Sequence, residues 1–195
     1  MENLEIRNTF GKVIRGANEE SRSVEGYALL FNESADNLDF EEVIVDSALD
    51  GVIAKSDVFA LLNHSKSRGI LARSFNGEGS LTLEVDKKGL KYQFEAPKTD
   101  LGDELLENLR RGEINQSSFA FTVEKDKWEK KGDGTWRRTI LQFEKLYDVS
   151  PVYNAAYSKT SVYMRGKELE EERLAAEERK MPDSYYEEIE NKFKL

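Results

Sequence analysis

Ser118 stands in the run Ile114-Asn115-Gln116-Ser117-Ser118-Phe119-Ala120-Phe121-Thr122-Val123, which is entered through Arg111-Gly112-Glu113. Its aromatic and β-branched residues and its period-2 alternation predict a β-strand. Alternation aims Ser117, Phe119, Phe121 and Val123 at one face, and Ser118, Ala120 and Thr122 at the other. If the phenylalanines enter a core, the Ser118 hydroxyl projects from the opposite face among small neighbours, where an attacking hydroxyl could work. The bland alternative is a half-buried strand with a polar outer face.

A serine hydroxyl is a weak nucleophile and needs a base within hydrogen-bond reach, itself oriented by a third group. His64 is the single histidine and so the only imidazole base on offer. It closes the apolar run Phe59-Ala60-Leu61-Leu62-Asn63, a rigid place to hold a ring. The polar stretch Ser65-Lys66-Ser67-Arg68 behind it would equally suit a surface loop. For the orienting carboxylate there are two candidates, Asp148 and Glu144. Alternation puts both on one face of the strand around Leu146, opposite Tyr147 and Val149. Asp148 would serve as well as a strand-edge charge that discourages aggregation. The chain order His, Ser, Asp differs from those of chymotrypsin, subtilisin and the α/β-hydrolases, and no Gly-x-Ser-x-Gly elbow is present. A serine site here would belong to another fold.

The elements that must position these groups are mostly strands. Residues 24–31 read as a strand, after a less marked one at 4–6; 46–55 reads as a short helix, and 58–62 as an apolar strand ending at Asn63-His64. Residues 80–85 and 90–96 alternate on either side of Asp86-Lys87-Lys88-Gly89, a hairpin. Leu101, Leu105, Leu106 and Leu109 recur at helical spacing over 100–111, with Gly112 as the stop. Residues 127–138 read as a second hairpin with Gly132-Asp133-Gly134 at its tip and Trp128 and Trp136 on its arms. Strands at 141–152 and 160–164 complete the set. The fold class is α+β, with many antiparallel strands in a sheet that closes into a barrel and a few flanking helices.

Composition narrows the function classes. The chain has 195 residues and no cysteine, which rules out disulfides and thiolate zinc sites and suggests a reducing compartment. One histidine rules out a multi-histidine metal site. A net charge of −9 argues against a general nucleic-acid binder. No apolar run approaches membrane-spanning length and Met1-Glu2-Asn3-Leu4-Glu5 is no signal peptide, so a soluble cytosolic protein without a membrane partner is expected. The stretch 167–195 carries ten acidic and six basic residues. It reads as a solvated helix broken by Pro182, then Ser184-Tyr185-Tyr186-Glu187 as a capping box before Tyr186, Ile189 and Phe193 on one helical face. The expected organisation is a domain over 1–165 and a charged helical tail over 166–195, mobile or removable.

Several stretches, in this order, resemble the prohead maturation proteases of tailed bacteriophages. They are Gly26-Tyr27-Ala28-Leu29-Leu30-Phe31-Asn32, Asn63-His64, Ile70-Leu71-Ala72-Arg73, the Ser118 run from Ile114 to Phe121, Leu146-Tyr147-Asp148-Val149-Ser150-Pro151-Val152, Ala155-Ala156-Tyr157 and Thr160-Ser161-Val162. The likeness covers about 24–165. That family is related to herpesvirus capsid proteases, which implies a mostly antiparallel β-barrel wrapped by helices. In those relatives a second histidine is the third catalytic member, whereas here an acidic residue must serve.

By this resemblance Ser118 matches the family nucleophile, His64 the base and Asp148 the acid, with Glu144 as the fallback. Ser117 stands where the family often has methionine, which agrees with its aim at the core. Ala120 replaces a common glycine, and Ala155-Ala156-Tyr157 lacks the usual proline. An oxyanion hole could come from backbone amides or from Arg137, Arg138 or Arg165. The resemblance implies a serine endopeptidase acting by acyl transfer, without metal or organic cofactor. Its substrates would be scaffold or major capsid protein and the protease itself, inside the procapsid in the host cytoplasm, with room for a homo-oligomer. Two other classes compete: a catalytically silent capsid-assembly or scaffolding module, and a metal-dependent hydrolase built on the many carboxylates.

Overall fold

A computed structural model of the chain describes residues 4–9, 13–15, 21–33, 38 and 40–153. The elements in chain order are β1 (Glu5–Thr9), β2 (Val13–Arg15), β3 (Ser23–Leu30), β4 (Glu41–Ile44), β5 (Asp57–Ala60), β6 (Ala72–Phe75), β7 (Glu78–Gly79), β8 (Leu81–Val85), β9 (Gly89–Glu95), α1 (Asp100–Arg111), β10 (Gln116–Lys130) and β11 (Trp136–Val152). The expected strand at 160–164, the Ala155-Ala156-Tyr157 motif and the helical tail lie outside the described residues.

The strands form two sheets. One is ordered β1-β10-β11-β5-β6-β7, with β4 also on β11; the other is ordered β2-β3-β9-β8. The barrel expectation needs correction, because among the described residues neither sheet closes. Closure would require β1 to pair with β7, and these are the opposite ends of the larger sheet. Alternation in a sequence specifies which face of a strand is apolar, not whether its sheet closes. Nor is the larger sheet purely antiparallel. β4 and β5 run parallel to β11 at two separate stretches, Arg137 to Ile140 and Asp148 to Val149.

Local expectations fare better. The Asp86 hairpin joins β8 to β9, with the Asp86 carboxylate accepting from the Lys88 and Gly89 amides at 2.7 and 3.0 Å. Helix α1 is capped by Thr99, whose hydroxyl accepts from the Gly102 amide, and it ends on Gly112 at φ 76°, a left-handed position that glycine occupies without strain. Its Leu105 and Leu109 are buried. The short helix expected at 46–55 is two 3₁₀ turns, Asp46–Leu49 and Ile53–Lys55. Strands β2, β4, β6 and β7 carry no marked alternation of their own and owe their form to the ladders that they join.

The inner face of β10 makes the core. Phe119, Phe121 and Phe143 pack with ring centroids 4.4 to 6.2 Å apart, and aromatic packing of this kind adds to the area buried. The smaller sheet packs in through Val24, Leu90, Tyr92 and Phe94. Gly26 pairs with Tyr92 across β3 and β9. A Cβ there would fall 2.8 Å from the Tyr92 hydroxyl, so glycine makes room for that ring.

Candidate active site

Strand β10 places Ser117 and Ser118 on opposite faces. The Ser117 hydroxyl meets the Tyr92 hydroxyl of the other sheet at 2.9 Å. Burial pushes the Tyr92 phenol well above its usual range, so the pair is a neutral hydrogen bond. Ser118 looks the other way, towards His64. That face is no polar exterior, however. Ser118, Ala120 and Thr122 are all buried, Ser118 with 0% exposure, because β10 is an inner strand flanked by β1 and β11 and covered on both sides.

His64 lies four residues past the end of β5. The β11 alignment continues past the strand end, with the Asn63 amide donating to the Pro151 carbonyl at 3.0 Å. The chain then turns sharply: Asn63 and His64 have φ of 53° and 57°, and the Ser65 amide donates to the Leu62 carbonyl at 3.1 Å. Two successive positive φ values closed by that bond are the pattern of a type I′ turn. Asn and His tolerate it better than most side chains, at a cost of order 1 kcal/mol or more each. Such outliers cluster where a side chain must be aimed, and this one aims the imidazole at β10 and β11.

Asp148 reaches the same place because β11 is bulged. Ala120 pairs with Asp148 but Phe121 with Leu146, and Thr122 pairs with Lys145 but Val123 with Phe143. Tyr147 and Glu144 are therefore the extra residues of two bulges. Each resets the alternation, so a spacing of four residues does not by itself put Glu144 on the face of Asp148. Asp148 and Ser150 lie on the face of Ala120 and Ser118, their cross-strand partners, while Glu144 is exposed.

The three groups form one hydrogen-bonded line. His64 Nε2 is 2.6 Å from Ser118 Oγ, and His64 Nδ1 is 2.7 Å from Asp148 Oδ1. A carboxylate only accepts, so Nδ1–H is assigned as the donor to Asp148, which leaves the Nε2 lone pair to accept the serine proton. Proton removal from an alcohol, with the resulting imidazolium held by a carboxylate, is the chemistry that this line can perform. Both partners of the imidazole–carboxylate pair are mostly withdrawn from water, at 19% and 11% side-chain exposure.

Two further groups touch the line, and sequence reasoning missed both. Ser150, fully buried, donates to Asp148 Oδ1 at 2.7 Å, the same oxygen that His64 uses. Its place two residues after Asp148 on the same face was the available signal. The second is the backbone carbonyl of Arg7 on β1, which lies 2.8 Å from Ser118 Oγ and accepts from it. One hydroxyl proton can satisfy either Nε2 or this carbonyl, not both at once.

A buried ionic cluster ties β1 to the sheet. Arg7 binds Glu42 of β4 through Nε at 2.5 Å and Nη2 at 2.9 Å, and Glu5 through Nη2 at 2.6 Å. Arg138 of β11 binds Glu5 at 2.6 and 2.8 Å, Glu42 at 3.0 Å and Asp126 at 2.7 Å. Burial alone would lower the Arg7 and Arg138 pKa values, yet Glu42 and Glu5 outweigh it and hold both above the usual arginine range. For Glu5, burial is outweighed by Arg138 and Arg7, and its carboxyl titrates below the usual range. Arg138 is thus engaged with three carboxylates and ill placed to receive an oxyanion. Arg137 is paired with Glu41 at 3.7 Å, and Arg165 lies outside the described residues.

A family model described as caudovirus prohead serine protease matches residues 11–174. The chain belongs to that family. Among solved structures, the capsid assembly protease gp21 of bacteriophage T4 is similar, with a TM-score of 0.50 and 15% sequence identity over 77% of this chain and 98% of the other. At that identity the likeness concerns the fold: a strand-dominated α+β domain of the phage capsid protease type, without a closed barrel among its described residues. No curated protein matches the chain. The prohead protease family match starts after β1 and includes all three residues of the hydrogen-bonded line.

Proposed function

We propose that this chain is a serine endopeptidase in which Ser118 is the nucleophile, His64 the general base and Asp148 the orienting acid. The observation that carries the reading is the continuous line from Ser118 Oγ through His64 to Asp148, at 2.6 and 2.7 Å. Ser118 attacks a peptide carbonyl as His64 takes its proton; His64 returns that proton to the leaving amine, and water then releases the acyl group. Asp148 holds the Nδ1–H tautomer and stabilises the imidazolium. Family membership supports scaffold or major capsid protein as the substrate, the protease itself as a second one, and the interior of the assembling procapsid as the place of action. Residues 1–165 carry this chemistry and 166–195 form a removable tail.

The test is the intact mass of purified wild type beside Ser118→Ala. Slow self-shortening in wild type, absent from the variant, is the expected result; loss of a triad serine costs on the order of a millionfold in turnover. The complete burial of Ser118 favours a second reading, a catalytically silent assembly module. Equal stability of the two masses would support that reading.

A further inference from the structure

We propose that β1 is an internal stand-in for substrate: it occupies the edge of β10 on which an extended peptide must bind, and it must leave for Ser118 to react. This rests on the protease reading above and names where the substrate binds.

Four observations converge. Ser118 has no exposed surface, so no outside carbonyl can reach its Oγ in this arrangement. β1 is the edge strand of its sheet and runs antiparallel along β10, with Asn8 opposite Ser118 and Arg7 opposite Phe119. The Arg7 carbonyl lies 2.8 Å from the nucleophilic oxygen, the position that a bound peptide's carbonyl would take. It also offers the Ser118 proton an acceptor other than His64 Nε2, and a hydroxyl turned to that carbonyl is not primed for attack. The match to the protease family begins at residue 11, so β1 is no part of what the family model describes.

The way β1 is held suits exchange. Leu4 is exposed and Ile6 half-exposed, so little apolar area anchors the strand. Beyond its backbone ladder to β10, which a substrate strand would replace, its grip is largely ionic, through Glu5 and Arg7. Buried ion pairs roughly break even against hydration, unlike apolar side chains pulled from a core. When β1 leaves, Glu42 keeps Arg138 at 3.0 Å and is not stranded as a lone buried charge. The bared edge of β10 then presents unpaired amides and carbonyls to a peptide strand.

A reversible lock tests this. Ile6 and Ala120 are direct cross-strand partners. Such Cα pairs lie about 4.5–5.5 Å apart, within disulfide range. The chain has no other cysteine to interfere. The full-length double variant Ile6→Cys/Ala120→Cys is treated with a fluorophosphonate, oxidised and reduced, and labelling of Ser118 is followed by intact mass. Oxidation should slow labelling at least about tenfold, since only the open fraction reacts, and reduction should restore it. As a second probe, Asn8→Pro removes a β1 amide from the strand opposite Ser118 and should speed labelling, whereas an integral strand loosened in this way would slow it. Equal rates in the oxidised and reduced forms, or slower labelling of Asn8→Pro, would overturn the occlusion. Absence of Ser118 labelling in every form, including reduced and Asn8→Pro, would instead bring down the protease reading itself.

Discussion

Ser118 and Ser150 face one another across the β10–β11 ladder, one bonded to His64 Nε2 and the other to the Asp148 oxygen that His64 Nδ1 also uses. The two hydroxyls thus mark the two ends of one hydrogen-bonded line. In the proposed mechanism the first gives its proton to His64, and the second helps to fix the anion that balances the imidazolium.

Ser150→Ala should therefore slow turnover by about tenfold, a loss of roughly 1.4 kcal/mol, as for one hydrogen bond to the charged group that orients the base. KM for a peptide substrate should barely move, and Ser150→Thr should recover most of the rate. A drop in Ala and Thr variants alike, with KM rising, would mean that Ser150 only packs.

Asp148→Asn should be more damaging than Glu144→Gln, because Asp148 touches His64 whereas Glu144 sits in an exposed bulge. His64→Ala should be about as inactive as Ser118→Ala, and the double variant should be little worse, since the residues act as a unit. Rates measured on one peptide substrate decide both points. Full activity in Asp148→Asn alongside loss in Glu144→Gln would reverse the assignment.

Ser117→Ala should keep most activity but lose about 1–3 kcal/mol of stability, because the buried Tyr92 hydroxyl is left without its partner. Pairing it with Tyr92→Phe should recover part of that loss, since both ends of the bond are then gone. Urea unfolding of the two single variants and the double variant makes the measurement.

Acid should weaken the ionic cluster through Glu5. Its folded-state pKa is depressed, so its contribution is fully present above the unfolded value of about 4.3 and is lost as pH falls through the folded value. Wild type should exceed Glu5→Gln in stability at pH 6, with the gap narrowing below about pH 4. A gap that stays constant across this range would show that the Glu5 charge contributes nothing.

Truncation after Arg165 should leave peptide-bond hydrolysis intact. The segment beyond it is rich in Glu, Lys and Arg and contains Pro182; as the apolar-poor helix expected from its sequence it would gain little by docking. On that expectation Tyr186, Ile189 and Phe193 would share a face suited to a groove on scaffold or on a neighbouring subunit. Cleavage of a scaffold-derived peptide, set beside incorporation into procapsids, separates targeting from chemistry. A truncated protein that is folded but inactive would refute the idea.

Local rules were enough for much of this molecule. Period-2 alternation separated Ser117 from Ser118, helical spacing with Gly112 bounded α1 at Asp100–Arg111, and turn residues located both hairpins, because each depends only on neighbours along the chain. The apolar run before His64 likewise announced a strand that delivers it. What alternation could not settle was anything requiring a partner strand. The bulges at Glu144 and Tyr147 exist only as a mismatch between β10 and β11, and they decide which acid faces His64. That Ser118 is buried, that Ser150 and the Arg7 carbonyl touch its hydrogen-bonded line, and that Arg138 is engaged by Glu5, Glu42 and Asp126 all follow from strands far apart in sequence meeting in one sheet. Sheet closure is of the same kind: each strand carries its own pleat, but only the assembled order leaves β1 and β7 at opposite edges.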